Sequence, residues 1–393
     1  MRIVVVGASL AGVRTVQALR RLGSTARITL VDARPEVACD RPPLSKAFLA
    51  DPATPARPVA TREQLEQLDV ELLLGWPAAR LDAPNRSLEL RDGTVLRYDA
   101  LVAATGSNPR TTPALRPGPG VHVLRTGEHA TQLRDRLAEG TRLVIVGGGF
   151  IGAEVAWTAR GLGCRVTVVE PLPSLMMRGL GPVLGEVLSR RHARSGADLR
   201  LGVGVKAIDG GQVHLSDGCA VPADEVLLAL GTTPEVGWLE GAGLRLDNGL
   251  ICDEHLAAVG APGVYAAGDL ARWWHPRYAE HVRVEHWTNA VEQAPVVAAN
   301  LTGTPTSYDA MPYVWSDQLG GRLQIIGRVR PHDEIRFVYG GPDEERFVAI
   351  TGGDGVLQSV VGFGAVRELM PYRKLLVEGG SWAAALDLAR TAA

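Results

Sequence analysis

Two glycine-rich turns contain residue types that bind nucleotide phosphates: Gly7-Ala8-Ser9-Leu10-Ala11-Gly12 and Gly147-Gly148-Gly149-Phe150-Ile151-Gly152. In such a turn the first glycine permits a tight bend, the second lets the backbone approach a pyrophosphate, and the third lets the helix pack close to the strand. The free N–H groups at the helix N-terminus then bind the phosphate charge. Ser9 occupies the second glycine position of the first turn, where a small side chain can donate a hydrogen bond to a phosphate oxygen.

Each turn lies within the same succession of elements. A continuous apolar run precedes it, Ile3–Val6 or Leu143–Val146, which is typical of a strand buried on both faces of a parallel sheet. A helical segment follows the turn, ends at a glycine and leads to a second strand that finishes on a carboxylate. In the first copy these are Val13–Leu22, Gly23 and Asp32. In the second copy they are Ala153–Leu162, Gly163 and Glu170. A carboxylate at that place hydrogen-bonds the adenosine ribose hydroxyls. The repeat therefore predicts two dinucleotide-binding domains in one chain.

Composition excludes several other classes of protein. The 393 residues include 41 Lys and Arg against 43 Asp and Glu, a net charge of −2, so the broad basic field of a general nucleic-acid binder is missing. The cysteines form no C-x-x-C pair, which favours a reducing compartment and predicts no metal site; they are Cys39, Cys164, Cys219 and Cys252. No apolar run reaches about 18 residues and no signal-peptide pattern precedes the first strand. We therefore expect a cytoplasmic protein that binds neither nucleic acid nor a membrane.

Three further segments are predicted strands, of which the first two end at a glycine: Leu101–Gly106, Val226–Gly231 and Gly263–Asp269. The first two would end the crossover after each nucleotide unit. The third closes on Gly268 and Asp269, where a carboxylate is well placed for a polyol hydroxyl, and a plain turn aspartate is the alternative. Beyond Ser307, hairpin-like strands followed by a helical region indicate a third domain.

Seven segments, distributed over essentially the whole chain, are shared with a known family: Gly7–Gly12, Asp40–Lys46, Ala104–Gly106, Gly147–Glu154, Tyr265–Asp269, Glu285–Ala290 and Trp315–Gln318. They resemble those of the FAD-dependent NADH:ferredoxin reductases of oxygenase and cytochrome P450 systems, the putidaredoxin reductase and biphenyl dioxygenase ferredoxin reductase type. The glycine motifs also occur in the wider group of flavoproteins with two dinucleotide-binding domains. The Arg-Pro-Pro-Leu-Ser-Lys and Trp-Ser-Asp-Gln segments are more particular to this branch.

The predicted fold class is α/β, with two Rossmann-like dinucleotide-binding domains in a glutathione-reductase-like architecture and a C-terminal α+β domain. The expected division is an FAD-binding domain in two parts (1–110 and 233–306), an NADH-binding domain (111–232) and a C-terminal interface domain (307–393). The oligomeric state, monomer or homodimer, stays open.

The resemblance implies two cofactor sites. FAD would be bound by Gly7, Ser9, Leu10, Ala11, Gly12, Asp32, Arg41, Lys46, Ala104, Thr105, Gly106, Gly268, Asp269, Glu285, His286 and Trp287. NADH would be bound by Gly147, Gly149, Phe150, Ile151, Gly152, Glu154, Glu170 and Gly231.

The resemblance also implies three residues close to the chemistry. Lys46 would lie near the flavin ring, Glu154 would approach the nicotinamide, and Trp315 would pack beside the flavin. The Lys46 ammonium near the flavin ring would stabilise the anionic reduced form of the ring. A helix that opens after Pro42 and Pro43 would aim its N-terminus at the segment before it. The alternatives are a surface cation for Lys46, an acid favoured by the helix dipole in the first turn for Glu154, and core packing for both Trp287 and Trp315.

Glu170 predicts a preference between the two nicotinamide coenzymes. A carboxylate accepts hydrogen bonds from the 2′-hydroxyl of NADH and repels the 2′-phosphate of NADPH. The four residues after it, Pro171–Ser174, include no cation, and the next arginine along the chain is Arg178. The sequence therefore predicts a preference for NADH.

The cysteine positions bear on the electron acceptor. Disulphide reductases of this architecture carry a redox cysteine pair in the first helix region, but Leu44–Leu49 contains no cysteine and Cys39 stands before it. Without a thiol relay the electrons must leave the flavin directly, which favours a one-electron acceptor such as an iron–sulfur ferredoxin. The alternatives are a rubredoxin reductase or NADH oxidase of the same fold, and an NADH-sensing interaction protein resembling apoptosis-inducing factor.

Overall fold

The computed structural model describes residues 1–392. Its strands are, in chain order, β1 (Arg2–Val6), β2 (Arg27–Asp32), β3 (Val70–Leu74), β4 (Ala78–Asp82), β5 (Ser87–Leu90), β6 (Val95–Arg97), β7 (Ala100–Ala103), β8 (Ser107–Pro109), β9 (Val121–His122), β10 (Arg142–Val146), β11 (Arg165–Glu170), β12 (Asp198–Leu201), β13 (Val205–Asp209), β14 (Gln212–Leu215), β15 (Ala220–Pro222), β16 (Glu225–Leu228), β17 (Thr232–Pro234), β18 (Leu250–Cys252), β19 (Val264–Ala266), β20 (Ala271–His275), β21 (Glu280–Val282), β22 (Tyr313–Gln318), β23 (Gly321–Gly327), β24 (Glu334–Gly340), β25 (Phe347–Gly353) and β26 (Val356–Phe363).

The α-helices are α1 (Leu10–Arg21), α2 (Ala47–Ala50), α3 (Arg62–Glu66), α4 (Gly127–Arg134), α5 (Phe150–Gly161), α6 (Met177–Arg194), α7 (Trp287–Leu301), α8 (Val366–Val377) and α9 (Trp382–Ala392). Single 3-10 turns form at Pro42–Ser45 and Gly237–Leu239. Within residues 1–392, none of the helices has both the length and the apolar character needed to cross a membrane.

The chain divides into two compact units. The first unit contains Met1–Asp40, Ala56–Asn108 and Thr232–Ala310. The second unit contains Arg41–Pro55, Pro109–Gly231 and Met311–Ala393.

The first unit is built around a parallel sheet with the strand order β19-β7-β1-β2-β3. The central strand β1 is apolar on both faces and pairs in register with its neighbours, so that Val6 lies beside Val31 on one side and Ala103 on the other. Four of its five residues are buried, as the continuous apolar run predicts. The helices α1 and α7 pack together beside this sheet.

The second unit repeats this sheet with the order β12-β11-β10-β16-β9. Here β10 is central, and Val146 lies beside Val169 and Leu228. The predicted repeat therefore extends to the strand order of both sheets. The fifth strand differs in origin, because β9 precedes the central strand in the chain whereas β19 follows it by a long interval.

The second unit also contains an antiparallel sheet near the C-terminus, ordered β22-β23-β26-β25-β24. The helices α8 and α9 contribute Leu369, Tyr372, Leu376 and Ala385 to the buried cluster against it. This agrees with the predicted hairpin strands and terminal helical region. The strand β22, which contains Trp315 and Ser316, has no counterpart among the predicted strands.

The helices after the glycine turns begin three residues earlier than predicted, at Leu10 and Phe150. The third glycine of each turn therefore lies inside the first helical turn, where the N–H groups need no partner within the helix. The predicted ends are confirmed, since Gly23 and Gly163 follow the C-cap with φ of +78° and +82°.

The predicted helix over Leu44–Leu49 is wrong. A 3-10 turn at Pro42–Ser45 is followed by the one-turn helix α2, and Lys46 between them has φ −124° and ψ −111°. The proline pair supplies no N–H groups, and a single 3-10 turn has almost no aligned dipole. The argument from a helix N-terminus therefore does not apply here.

One arginine of α6 anchors the C-terminal sheet. The Arg191 guanidinium lies 5.0 Å from the centre of the Phe347 ring and 4.9 Å from that of Phe363. It also donates hydrogen bonds to the backbone carbonyls of Glu344 and, at 3.1 Å, Glu345. Such a cation against two aromatic faces, with its N–H groups bonded, stabilises the packing of helix on sheet.

We expect Arg191→Ala to lower the free energy of unfolding by about 1–3 kcal/mol, because it removes both the ring contacts and two charge-assisted hydrogen bonds. Thermal denaturation followed by circular dichroism measures the loss. The matched control is Arg194→Ala, which breaks only an exposed ion pair with Asp343 and should change stability by less than about 0.5 kcal/mol. Equal losses in the two variants would show that the anchor contributes nothing.

Candidate active site

The first glycine turn has no room for side chains at two positions. A Cβ added to Gly7, whose φ is +118°, would overlap the Ala104 carbonyl oxygen, and one added to Gly12 would overlap the Gly7 carbonyl oxygen. Both neighbours are backbone atoms that cannot rotate away. The turn is therefore fixed between β1, the end of β7 and the first turn of α1.

The second glycine turn has the same construction. A Cβ on Gly147 (φ +110°) would overlap the Ala229 carbonyl oxygen, and one on Gly152 would overlap the carbonyl oxygen of Gly147. Gly149 differs, because nothing lies within 4 Å of an added Cβ. Ser9 occupies the equivalent place in the first turn, so its side chain is compatible with the fold. Both turns fit a pyrophosphate, which needs close backbone approach to the N-terminus of a helix.

The carboxylates at the ends of β2 and β11 are oriented by their own glycine turns. Asp32 accepts the Ala8 N–H at 2.6 Å and the Arg34 N–H at 2.8 Å. Glu170 accepts the Gly148 N–H at 2.7 Å and the Leu172 N–H at 2.9 Å. Each carboxylate has further lone pairs, which suit ribose hydroxyls.

The two carboxylates differ in their neighbouring charges. The Arg34 guanidinium pairs with Asp32 at 3.3 Å. Among residues 1–392, no cationic side chain pairs with Glu170. The turn of the second unit therefore presents an uncompensated negative charge where an adenosine ribose would lie.

The other FAD candidates of the first unit follow neighbouring parallel strands. Ala104–Gly106 follows β7, and Gly268 and Asp269 follow β19, so both lie at the carboxyl edge where the first glycine turn begins. The Gly268 N–H donates to Gln293 at 2.7 Å, and Ser107 donates to the Asp269 carboxylate at 2.8 Å. The sheet thus brings these candidates to one edge.

The segment Glu285–Trp287 leads into α7 of the same unit. The Trp287 indole N–H donates to the Asp40 carboxylate at 2.8 Å, and Glu285 pairs with Arg283 at 2.6 Å. The hydrogen bond between Trp287 and Asp40 ties the start of α7 to the chain just before the Arg-Pro-Pro segment.

The second unit contains a buried ion pair. Glu154 has a side chain only 6% exposed, and its Oε2 lies 2.7 Å from the Lys46 ammonium. The same oxygen accepts the Ser45 hydroxyl at 2.5 Å, and Oε1 accepts the Ser316 hydroxyl at 2.6 Å. Lys46 also donates to the Pro42 carbonyl at 3.0 Å. A buried pair of charges is tolerable only with such additional hydrogen bonds, which here reach both partners.

Two interpretations of these residues are corrected by this geometry. Because α5 begins at Phe150, Glu154 lies in the second helical turn, where the dipole gives little stabilisation. Lys46, whose side chain is 18% exposed, is an ion-pair partner rather than a solvated surface cation.

The remaining candidates of the second unit lie as follows. Arg41 directly precedes the 3-10 turn at Pro42–Ser45, and Gly231 (φ +84°) follows β16. Trp315 on β22 is half-buried, and the centre of its ring lies 6.0 Å from that of the Tyr313 ring. Phe150 and Ile151 are the first residues of α5.

Sequence reasoning missed four polar residues connected with the ion pair: Ser45, His192, Ser316 and Gln318. Ser45, Ser316 and Gln318 belong to the Arg-Pro-Pro-Leu-Ser-Lys and Trp-Ser-Asp-Gln segments, but the sequence predicts no role for these side chains. A lone histidine in a helical segment gives no local signal, so His192 could not have been found.

Comparison with known proteins places the chain in a family. Residues 1–294 match the pyridine nucleotide-disulphide oxidoreductase model, and residues 313–391 match the reductase C-terminal model. The ferredoxin--NAD(+) reductase component of the p-cumate 2,3-dioxygenase system of Pseudomonas putida is 39% identical over 83% of this chain and 81% of its own. Rhodocoxin reductase of Rhodococcus erythropolis is 37% identical over 96% and 89%. The chain belongs to the pyridine nucleotide-disulphide oxidoreductase family.

A solved structure agrees with this placement. The covalent putidaredoxin reductase–putidaredoxin complex matches with a TM-score of 0.93 and 30% identity, over 100% of this chain and 98% of that one. The family resemblance and the fold class predicted from the sequence are confirmed. The chain is an oxidoreductase, and the cofactors of its family are FAD and NAD(H).

We expect Gly152→Ala to abolish NADH binding and to lower the free energy of unfolding by about 1–3 kcal/mol, because its Cβ would displace the Gly147 carbonyl. FAD should stay bound, since the first glycine turn is untouched. NADH titration, flavin absorbance and thermal denaturation measure the three quantities.

The control for this substitution is Gly149→Ala in the same turn, where the added Cβ meets open space. Its thermal stability should equal that of the parent protein. A Gly152→Ala variant as stable as Gly149→Ala would contradict the tight packing of the turn.

Proposed function

We propose that this chain is an FAD-dependent NADH:ferredoxin oxidoreductase that supplies single electrons to a cytochrome P450 or a dioxygenase. The observation that carries the proposal is the buried Lys46–Glu154 pair in a chain with no cysteine between residues 40 and 163. A disulphide reductase would need a thiol pair in that interval. The names of the relatives described above support the same acceptor class.

FAD, when bound, accepts a hydride from NADH and releases electrons one at a time to a one-electron carrier. For the first unit we propose that the backbone of Gly7–Gly12 binds the FAD pyrophosphate and that Asp32 accepts the ribose hydroxyls. Asp269 would accept a hydroxyl of the polyol chain. Ala104–Gly106 and Glu285–Trp287 would supply backbone contacts.

For the second unit we propose that Gly147–Gly152 binds the pyrophosphate of NADH and that Glu170 accepts the 2′-hydroxyl of its ribose. Glu154 would then orient the nicotinamide, since it lies on α5, the helix that begins at this glycine turn. Lys46 would supply positive charge to the reduced flavin, and Trp315 would pack beside the ring. Holding donor and acceptor in a fixed geometry is the main contribution such residues make to hydride transfer.

We also propose a cytoplasmic location and a C-terminal interface domain from residue 307. The location is supported by the four cysteines, which are all free thiols, as expected in a reducing compartment. The domain is supported by the match of residues 313–391 to the reductase C-terminal model.

We expect the FAD-loaded protein to reduce a [2Fe–2S] ferredoxin with NADH, because a flavin without a thiol relay passes electrons directly to one-electron carriers. The measurement is NADH-dependent reduction of the ferredoxin, followed anaerobically by its visible absorbance. Rubredoxin and dioxygen serve as competing acceptors.

Three outcomes would contradict the proposal. Faster reduction of rubredoxin than of any ferredoxin would indicate a rubredoxin reductase. Rapid oxygen consumption without a carrier would indicate an NADH oxidase. NADH-dependent dimerisation with negligible turnover would indicate an NADH-sensing interaction protein.

We expect Glu170→Gln to lower the ratio of kcat/KM for NADH to that for NADPH about tenfold or more, because the charge that repels the 2′-phosphate is removed. The amide oxygen can still accept the Gly148 N–H, which keeps this contact of the glycine turn, although the bond from the Leu172 N–H is lost. Steady-state kinetics with both coenzymes measures the ratio. The control is Asp198→Asn on the neighbouring strand β12, where an exposed carboxylate pairs with Arg200. A parent enzyme that prefers NADPH, or an unchanged ratio in Glu170→Gln, would overturn the assignment.

A further inference from the structure

The C-terminal sheet directs two side chains toward the buried Glu154. Along β22 alternate residues point to opposite faces. Ser316 and Gln318 share the buried face, with 0% and 1% exposure, whereas Trp315 and Asp317 on the other face are partly exposed. The Ser316 hydroxyl reaches Glu154, and Gln318 lies behind it, with its amide Nε2 2.9 Å from the Ser316 oxygen.

Glu154, Ser316, Gln318 and His192 form a row of hydrogen-bonded side chains. The hydrogen bonds of this row have only one consistent direction. An ionised carboxylate only accepts, so the single hydroxyl hydrogen of Ser316 is used on Glu154. Ser316 must then accept from the Gln318 amide NH₂ group. The Gln318 oxygen consequently faces the His192 Nε2 atom at 2.7 Å, and this ring nitrogen must be the donor.

His192 is suited to that role. Its side chain is fully buried on α6, and burial lowers the pKa of the ring, which favours the neutral form. In the neutral ring with its hydrogen on Nε2, the Nδ1 atom carries only a lone pair. Within residues 1–392, no hydrogen-bond partner lies near Nδ1. This arrangement agrees with the direction of the row.

Gln318 also contacts the second glycine turn through Met176. The amide nitrogen of Gln318 lies 3.5 Å from the Met176 sulfur, and the Met176 backbone N–H donates to the Gly148 carbonyl at 2.7 Å. Gly148 in turn donates its N–H to Glu170. One buried amide thus lies between the carboxylate of Glu154 and the turn that would bind the coenzyme pyrophosphate.

We propose that Ser316, Gln318 and His192 are positioning residues of the nicotinamide site, which hold Glu154 so that it accepts a hydrogen bond from the nicotinamide carboxamide. The proposal rests on the function proposed above. A fixed carboxylate is an acceptor only, and the N–H groups of the nicotinamide moiety are those of its carboxamide. The C-terminal domain therefore completes the coenzyme site in addition to any role in docking an electron acceptor.

The test compares two coenzymes that differ at the carboxamide. Acetylpyridine adenine dinucleotide has an acetyl group there and cannot donate a hydrogen bond to Glu154. We expect Ser316→Ala to weaken binding of NAD⁺ about tenfold, the effect of one lost hydrogen bond to a charged acceptor, and to leave binding of the acetylpyridine coenzyme unchanged. Titration calorimetry on the FAD-loaded protein measures both dissociation constants without turnover.

Kinetics gives a second measurement on the same variant. Stopped-flow flavin reduction at increasing NADH concentration separates the NADH dissociation constant from the limiting rate. Ser316→Thr, which keeps the hydroxyl, should restore both quantities toward the parent values. Gln318→Leu should weaken NAD⁺ binding as Ser316→Ala does, because Ser316 then loses the donor that orients it.

The matched control is Ser359→Ala in the same sheet. Ser359 is equally buried, and its hydroxyl bonds Thr351 at 2.8 Å within the sheet. This control should leave the affinities for both coenzymes unchanged, whatever its effect on thermal stability. Equal weakening of both coenzymes in Ser316→Ala would mean that Ser316 acts only through folding, and the proposal would fall.

Failure of this inference is distinguishable from failure of the proposed function. If the parent protein reduces ferredoxin with NADH while Ser316→Ala and Gln318→Leu behave like Ser359→Ala, only the positioning role is wrong. If NADH does not reduce the flavin of the parent protein, the proposed function itself is wrong.

Discussion

The buried charge of Glu154 is the constraint on which the second unit depends. An unpaired carboxylate in such surroundings would be strongly unfavourable, and here it is compensated by one ammonium and two hydroxyl groups. These donors come from the loop around Lys46 and from β22 of the C-terminal sheet. Two distant segments must therefore meet at the helix that carries Glu154, and a displacement of either would remove part of the compensation of a buried charge.

The end of α6 helps to fix the C-terminal sheet against that charge. Its neighbouring residues Arg191 and His192 make different contacts: the guanidinium lies against Phe347 and Phe363, and the imidazole bonds Gln318. The contact of Arg191 with the two rings stabilises the packing of the helix on the sheet. The hydrogen bond of His192 belongs to the polar row that ends at Glu154. Packing and site geometry are thus set by adjacent residues of one helix.

The two glycine turns have the same construction and differ in two details. In both, a Cβ at the first or third glycine would overlap a backbone carbonyl, and a carboxylate at the end of the second strand accepts an N–H of the turn. The first copy has Ser9 and an arginine paired with its carboxylate. The second has the open Gly149 and, among residues 1–392, no cationic side chain paired with Glu170.

The sequence by itself determined those structural features that depend on residues close together in the chain. The repeat of strand, glycine turn, helix and carboxylate is local, so it predicted both parallel sheets, their helices and the cofactor candidates at the strand ends. It misplaced the helix starts and the segment after Pro42, where the conformation of a few residues depends on their surroundings. Only the tertiary structure decided the buried row, because Glu154 meets Lys46 and Ser316 across 108 and 162 residues of chain. Hydrogen-bond partners at that separation are selected by packing, and no local pattern records them.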